Sequence, residues 1–220
     1  MPRKPSFLDR LPPGHGLLIT GARQVLPAVG EEVLELIITL WILIAVERAC
    51  GQPGVGVYAY LTALLYMTRY MADFGVARLM EHEAAVGREN DPEQRRRIAA
   101  GFQTTLATGL AVSLLFLSTA GFDAAHTRIE ERLAAYGIMA LILPLANLNH
   151  LKLSILQGQG HHALVARFSF YRYGLILGGV LLLTRGPVPP SFLLLAHLGS
   201  EIVMTVILRR RPSLPGMAAL

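Results

Sequence analysis

Six long apolar runs, joined by short connections, constrain this chain more than anything else in it. They lie near residues 29–47, 54–74, 98–120, 133–151, 163–183 and 190–208. Each approaches the roughly 20 residues that a helix needs to cross a bilayer. In hydrocarbon a backbone N–H or C=O finds no water, so a spanning segment must be a helix or part of a closed barrel. The runs are continuous rather than alternating, which excludes barrel strands and predicts helices. The first run is the least clean, because it carries Glu31, Glu32 and Glu35. Charged residues make up 16% of the 220 residues, against about 25% in soluble domains. The expected fold class is an all-α membrane protein with six transmembrane helices in one bundle.

The distribution of basic residues gives an orientation. Of 20 Lys and Arg, 14 fall on one side: the N-terminal tail, the loop from Arg78 to Arg97, the Lys152 and Arg167 region, and Arg209 to Arg211. The opposite side receives four: Arg48, Arg128, Arg132 and Arg185. The remaining two, Arg69 and Arg172, lie inside spans. Cytoplasmic loops carry the excess of Lys and Arg, so both termini are expected in the cytoplasm. Topology then accounts for the net charge of +5, and nucleic acid is not an expected partner. The predicted organisation is an interfacial amphipathic segment at 1–28, a six-helix domain at 29–208 and a basic tail at 209–220. "GLLIT" is too short for a signal-peptide core. The longest connection holds Asp91-Pro92-Glu93, which reads as a helix start with proline near the first position and an acid in the first turn.

One stretch has a distinctive order: "ERACGQPGVGVYAYLTALLYMTRYMADFGVARLMEHEAA". A turn, Cys50-Gly51-Gln52-Pro53-Gly54-Val55-Gly56-Val57-Tyr58, leads into a span that ends in Asp73-Phe74-Gly75 and a short amphipathic helix. Further on, "ILQGQGHHALVARFSF" places a glycine-rich step before the fifth span. This order resembles the polysaccharide flippases of the multidrug/oligosaccharidyl-lipid/polysaccharide exporter superfamily, over roughly residues 30 to 208. The resemblance implies a lobe of an exporter-like bundle in a bacterial inner membrane, with a lipid-linked saccharide as substrate. Such flippases have twelve or more helices in two lobes, and this chain has one. Its two ends share a side, so two copies would be parallel repeats about an axis along the membrane normal. The expected assembly is a homodimer or a heteromer with another membrane protein. A non-transporting scaffold subunit that docks a glycan synthase is the alternative.

The intramembrane polar residues are the candidate site. Arg69 and Asp73 are i,i+4 and share a helix face. They form either a self-neutralised pair or a cationic wall that meets a lipid-linked diphosphate. Arg172, flanked by Tyr171 and Tyr173, has no acid one turn away. Its partner comes from another helix, with Glu35 and Glu201 as choices, or from a ligand; Arg172 is the arginine expected to meet an anionic headgroup, with Arg69 held mainly by Asp73. The tyrosines either stack on sugars or form helix contacts. Asp73, Glu35, His197 and Glu201 are candidates for ion or proton coupling, or simple charge partners for the arginines. Asn147 and Asn149, beside Pro144, are expected to satisfy a bent fourth helix. His161 and His162 are adjacent and cannot both face one metal. Asp73-Phe74-Gly75 lacks the other kinase motifs. No cofactor, metal or enzymatic activity is expected.

Overall fold

A computed structural model describes residues 13–86, 92–124 and 130–209, with side chains placed for most of them. Arg88, Arg128 and the tail from 210 lie outside the described residues, as does the start of the N-terminal segment. The described residues form helices and no strand: α1 (Pro13–Asp73), α2 (Val76–Val86), α3 (Pro92–Ala124), α4 (Glu130–Gly158), α5 (His162–Leu183) and, after a 3-10 turn at Pro190–Leu193, α6 (Leu194–Arg209). Residues 13–28 run into the rest of α1 without a break.

α1 is two helices. At Gly51 the backbone takes φ 71° and ψ 176°, a region that essentially only glycine occupies. Pro53, two residues on, suits the first turn of the second half. Glu35 from the first half and Tyr66 and Arg69 from the second line one cavity. At 1.5 Å per residue a straight helix would hold Glu35 and Arg69 about 50 Å apart. The halves must therefore fold back on each other around Gly51.

A second turn follows Asp73. Phe74 (φ 46°) and Gly75 (φ 78°) reverse the chain, and an Asp73 side-chain oxygen accepts the Ala77 N–H at 3.2 Å. Asp73 thereby satisfies one of the free amides at the start of α2. α2 buries Ala77, Met80 and Ala84 against the start of α3 and the end of α4. The approach to α4 requires Gly158, where a Cβ would fall 2.1 Å from the Glu81 carbonyl oxygen. α3 starts at Pro92 with Glu93 in its first turn, as expected from the sequence.

Three apolar clusters fix the order of ends. One joins α2, the start of α3, the end of α4, the start of α5 and the end of α6. A second, at the opposite end, joins the first half of α1 and Tyr58 to the end of α5 and the start of α6. The third joins the second half of α1 to α4 and Leu194. Arg78, Arg95 to Arg97, Lys152, Arg167 and Arg209 consequently share one end of the bundle.

Among the described residues four stretches are long and apolar enough to cross a membrane: Pro92–Ser118, Leu133–Gly158, His162–Leu183 and Pro190–Arg209. The halves of α1 are not among them. In the first, Glu31, Glu32 and Glu35 precede a short uncharged run that ends at Glu47 and Arg48. In the second, four tyrosines and Arg69 dilute the apolar character. Large hydrophobic side chains are exposed on every long helix, among them Leu36, Met67, Leu114, Leu141, Leu182 and Ile202. Asn147, Asn149, His197, Ser200 and Glu201 are buried. Apolar outside and polar inside is the arrangement of a chain whose solvent is lipid.

Candidate functional site

α4 is the central helix, with most of its membrane-length stretch buried, and the polar side chains of the interior gather around it. Asn149 Nδ2 donates to Glu201 Oε2 at 2.8 Å and to the Glu201 carbonyl at 2.9 Å. Thr205 Oγ1 lies 3.1 Å from Asn149 Oδ1. Arg172 on α5 forms an ion pair with Glu201, whose side chain is 2% exposed. Ser200 Oγ donates to the Arg172 backbone carbonyl at 3.0 Å. This network locks α4, α5 and α6 together. It also gives Asn149 a different task from the bent helix expected of it: the side chain reaches across to α6. Asn147 is buried too, and neither of its amide atoms finds a hydrogen-bond partner among the described residues.

His197 sits one turn before Glu201. Its Nε2 lies 2.8 Å from the Tyr58 hydroxyl, and the Tyr66 ring stands nearly perpendicular to its own, with centroids 6.4 Å apart. The pair ties the second half of α1 to α6. Of the four coupling candidates, two are therefore engaged in interior contacts, His197 with Tyr58 and Glu201 with Arg172. Asp73 is engaged as the cap of α2.

A cavity of about 410 Å³ opens beside this network, toward the basic end of the bundle. Both halves of α1 line it, through Glu35 and through Tyr66, Arg69 and Tyr70. α4 contributes His150, Ser154 and Gln157, and α5 contributes Ser169, Arg172 and Tyr173. Four of the residues singled out from sequence thus converge here: Arg69, Arg172, Tyr173 and Glu35. Tyr171 does not join them and is exposed on the outer face of α5 beside Phe170. Glu32 is likewise exposed.

The two arginines differ. The expected Arg69–Asp73 pair does not form, because Asp73 turns to the α2 backbone. Among the described residues Arg69 has no ion pair, and its Nε is buried without a hydrogen bond. Both the Arg172 guanidinium and the Glu201 carboxylate are close enough for their charges to act on it. Arg172, in contrast, has Glu201.

Sequence reasoning missed Tyr66, Tyr70, His150, Ser154 and Gln157. A signal for them exists. His150, Ser154 and Gln157 are spaced i, i+4, i+7, a polar stripe on one face of an otherwise apolar span. Tyr66, Arg69 and Tyr70 follow the i, i+3, i+4 pattern.

No family model, curated protein or solved structure matches this chain.

Proposed function

We propose that this chain is a half-sized, polysaccharide-flippase-like membrane protein whose cavity receives the phosphate of a lipid-linked saccharide. The observation that carries this reading is Arg69, a guanidinium without an ion pair among the described residues, in a polar cavity, which in this reading lies at bilayer depth. A charge there costs about 2.5–3.5 kcal/mol on insertion scales. A planar guanidinium recovers that cost against phosphate, which it meets with two parallel hydrogen bonds. In this reading both halves of α1 cross the bilayer, giving six spans in one exporter-like lobe. The basic end faces the cytoplasm of a bacterial inner membrane, in keeping with the distribution of Lys and Arg. Both termini then lie on that side. A second copy, or another membrane protein, completes the two-lobed arrangement.

Flipping of a fluorescent lipid-linked saccharide in reconstituted vesicles, normalised to folded protein, tests the proposal. Arg69→Ala is expected to abolish translocation, and Arg69→Lys to restore it only in part, since a point charge lacks the planar fork. Normal transport by Arg69→Ala rejects the reading.

A scaffold subunit that docks a glycan synthase is the second reading. What favours it is the Arg172–Glu201 pair, in which the one cavity-lining arginine with an acid partner is already neutralised by the protein itself. The mass of the intact detergent-solubilised complex separates the two. Whole multiples of the 24.0 kDa chain favour the self-assembled transporter, and a larger heteromer that does not flip lipid favours the scaffold.

A further inference from the structure

The cavity carries both signs of charge. On one wall is Arg69, and beside it Arg172, whose charge Glu201 already cancels. On the facing half of α1 is Glu35, whose neighbour is the Tyr173 hydroxyl and not a cation. Among the described residues Glu35 and Arg69 form no ion pair with each other, although they line the same space. Opposite charges in a site of low dielectric attract strongly. Two that are held apart leave room for something between them.

The sign of the ligand follows from both walls together. A purely anionic group gains from Arg69 and is repelled by Glu35. A purely cationic group meets the reverse. A ligand with a phosphate at one end and an ammonium at the other satisfies both carriers. The aromatic faces of Tyr66 and Tyr70 add to this, because tyrosine rings attract ammonium groups. Ser154 and Gln157 offer neutral hydrogen bonds that suit either end.

Building on the anion-receiving cavity proposed above, we infer that the site selects a zwitterionic headgroup, with phosphate at Arg69 and ammonium at Glu35, over an equally sized anionic one. This chemistry is common to an ethanolamine phospholipid and to an amino-sugar phosphate.

Calorimetric titration of the full chain in an uncharged maltoside detergent tests it with two matched pairs of probes. The first is dihexanoyl phosphatidylethanolamine against dihexanoyl phosphatidylglycerol. The second is glucosamine 1-phosphate against glucose 1-phosphate. Within at least one pair the ammonium-bearing member is expected to bind about tenfold tighter or better, the scale of one charge-assisted hydrogen bond. A preference in the lipid pair alone identifies a lipid headgroup, and one in the sugar pair alone identifies an amino-sugar phosphate; either supports the inference. Glu35→Gln should erase the preference by weakening only the ammonium-bearing probe, and Arg69→Ala should weaken both members. Equal or tighter binding of the anionic member in both wild-type pairs overturns zwitterion selection and leaves the phosphate site intact. Binding of no probe, or binding that Arg69→Ala leaves unchanged, overturns both. The wild-type comparison needs no variant to fold.

Discussion

Arg172 and Arg69 reach the same cavity from facing helices and end in opposite circumstances. Arg172 is held by Glu201, which Asn149 holds in turn. Arg69 is close enough to feel the charges of both Arg172 and Glu201, but among the described residues it forms no ion pair of its own. Both are arginines on long, largely apolar helices, and composition alone gives them the same character. Their neighbours divide the labour. One guanidinium fastens three helices, and the other forms no ion pair among the described residues. A buried charge is thus a sign of function only after its partners have been counted.

The largest effect should come from breaking the satisfied pair. Glu201→Ala leaves the Arg172 charge unpaired in the interior and removes one of the two acceptors of the Asn149 amide, a loss on the order of 3–5 kcal/mol. Thermal unfolding in detergent, read by circular dichroism, should show a collapse in stability and in monodisperse yield. The double variant Arg172→Met/Glu201→Leu removes both charges and should recover much of that loss, because an apolar pair of similar volume needs no desolvation. Arg69→Ala should leave the unfolding temperature at or above wild type, since it removes a charge that no protein group compensates. Equal destabilisation by Glu201→Ala and Arg69→Ala would break the contrast.

Why the contrast was hidden in the sequence has a physical answer. Helical spacing reports only neighbours one turn apart, and it offered Asp73 to Arg69. It could not report that the chain turns at Phe74, which brings the Ala77 N–H to the same carboxylate. Nor can spacing rank Glu35 against Glu201 for Arg172, because that choice depends on how helices pack, and Asn149 and Glu201 are 52 positions apart. The elements themselves were legible wherever a local cause sets them. Apolar length marked the four membrane-length stretches, Gly51 and Pro53 marked the fold-back of α1, and Asp73-Phe74-Gly75 marked the start of α2.

A middle-sized effect should sharpen the comparison from the side of the cavity wall. α2 lies across the end of α4 only because position 158 has no side chain. Gly158→Ala drives a methyl into the Glu81 backbone, so α2 or α4 must move, at a cost of about 1–3 kcal/mol. Gln157, the adjacent residue, lines the cavity. The variant should therefore lower stability and weaken phosphate-probe binding together. The Arg172–Glu201 pair is set by α5 and α6, and the double variant above should tolerate Gly158→Ala as wild type does, with the two losses additive. Strong non-additivity would mean that the cavity and the network are one cooperative unit.

The smallest effect tests the reason that Arg69 is free. If Asp73 serves as the cap of α2, its role is that of an oxygen acceptor for the Ala77 N–H, and a neutral amide does this about as well. Asp73→Asn should then change stability by only a few tenths of a kcal/mol, while Asp73→Ala loses the acceptor and costs about 1 kcal/mol. If Asp73 instead neutralised Arg69, the order of causes would reverse. Asn would then be nearly as damaging as Ala, because both remove the charge, and Arg69→Ala would rescue each of them. Chemical or thermal unfolding of Asp73→Asn, Asp73→Ala and their combinations with Arg69→Ala measures the difference as a double-mutant cycle. The expected coupling between positions 69 and 73 is near zero, which keeps the Arg69 guanidinium available to whatever anion enters the cavity.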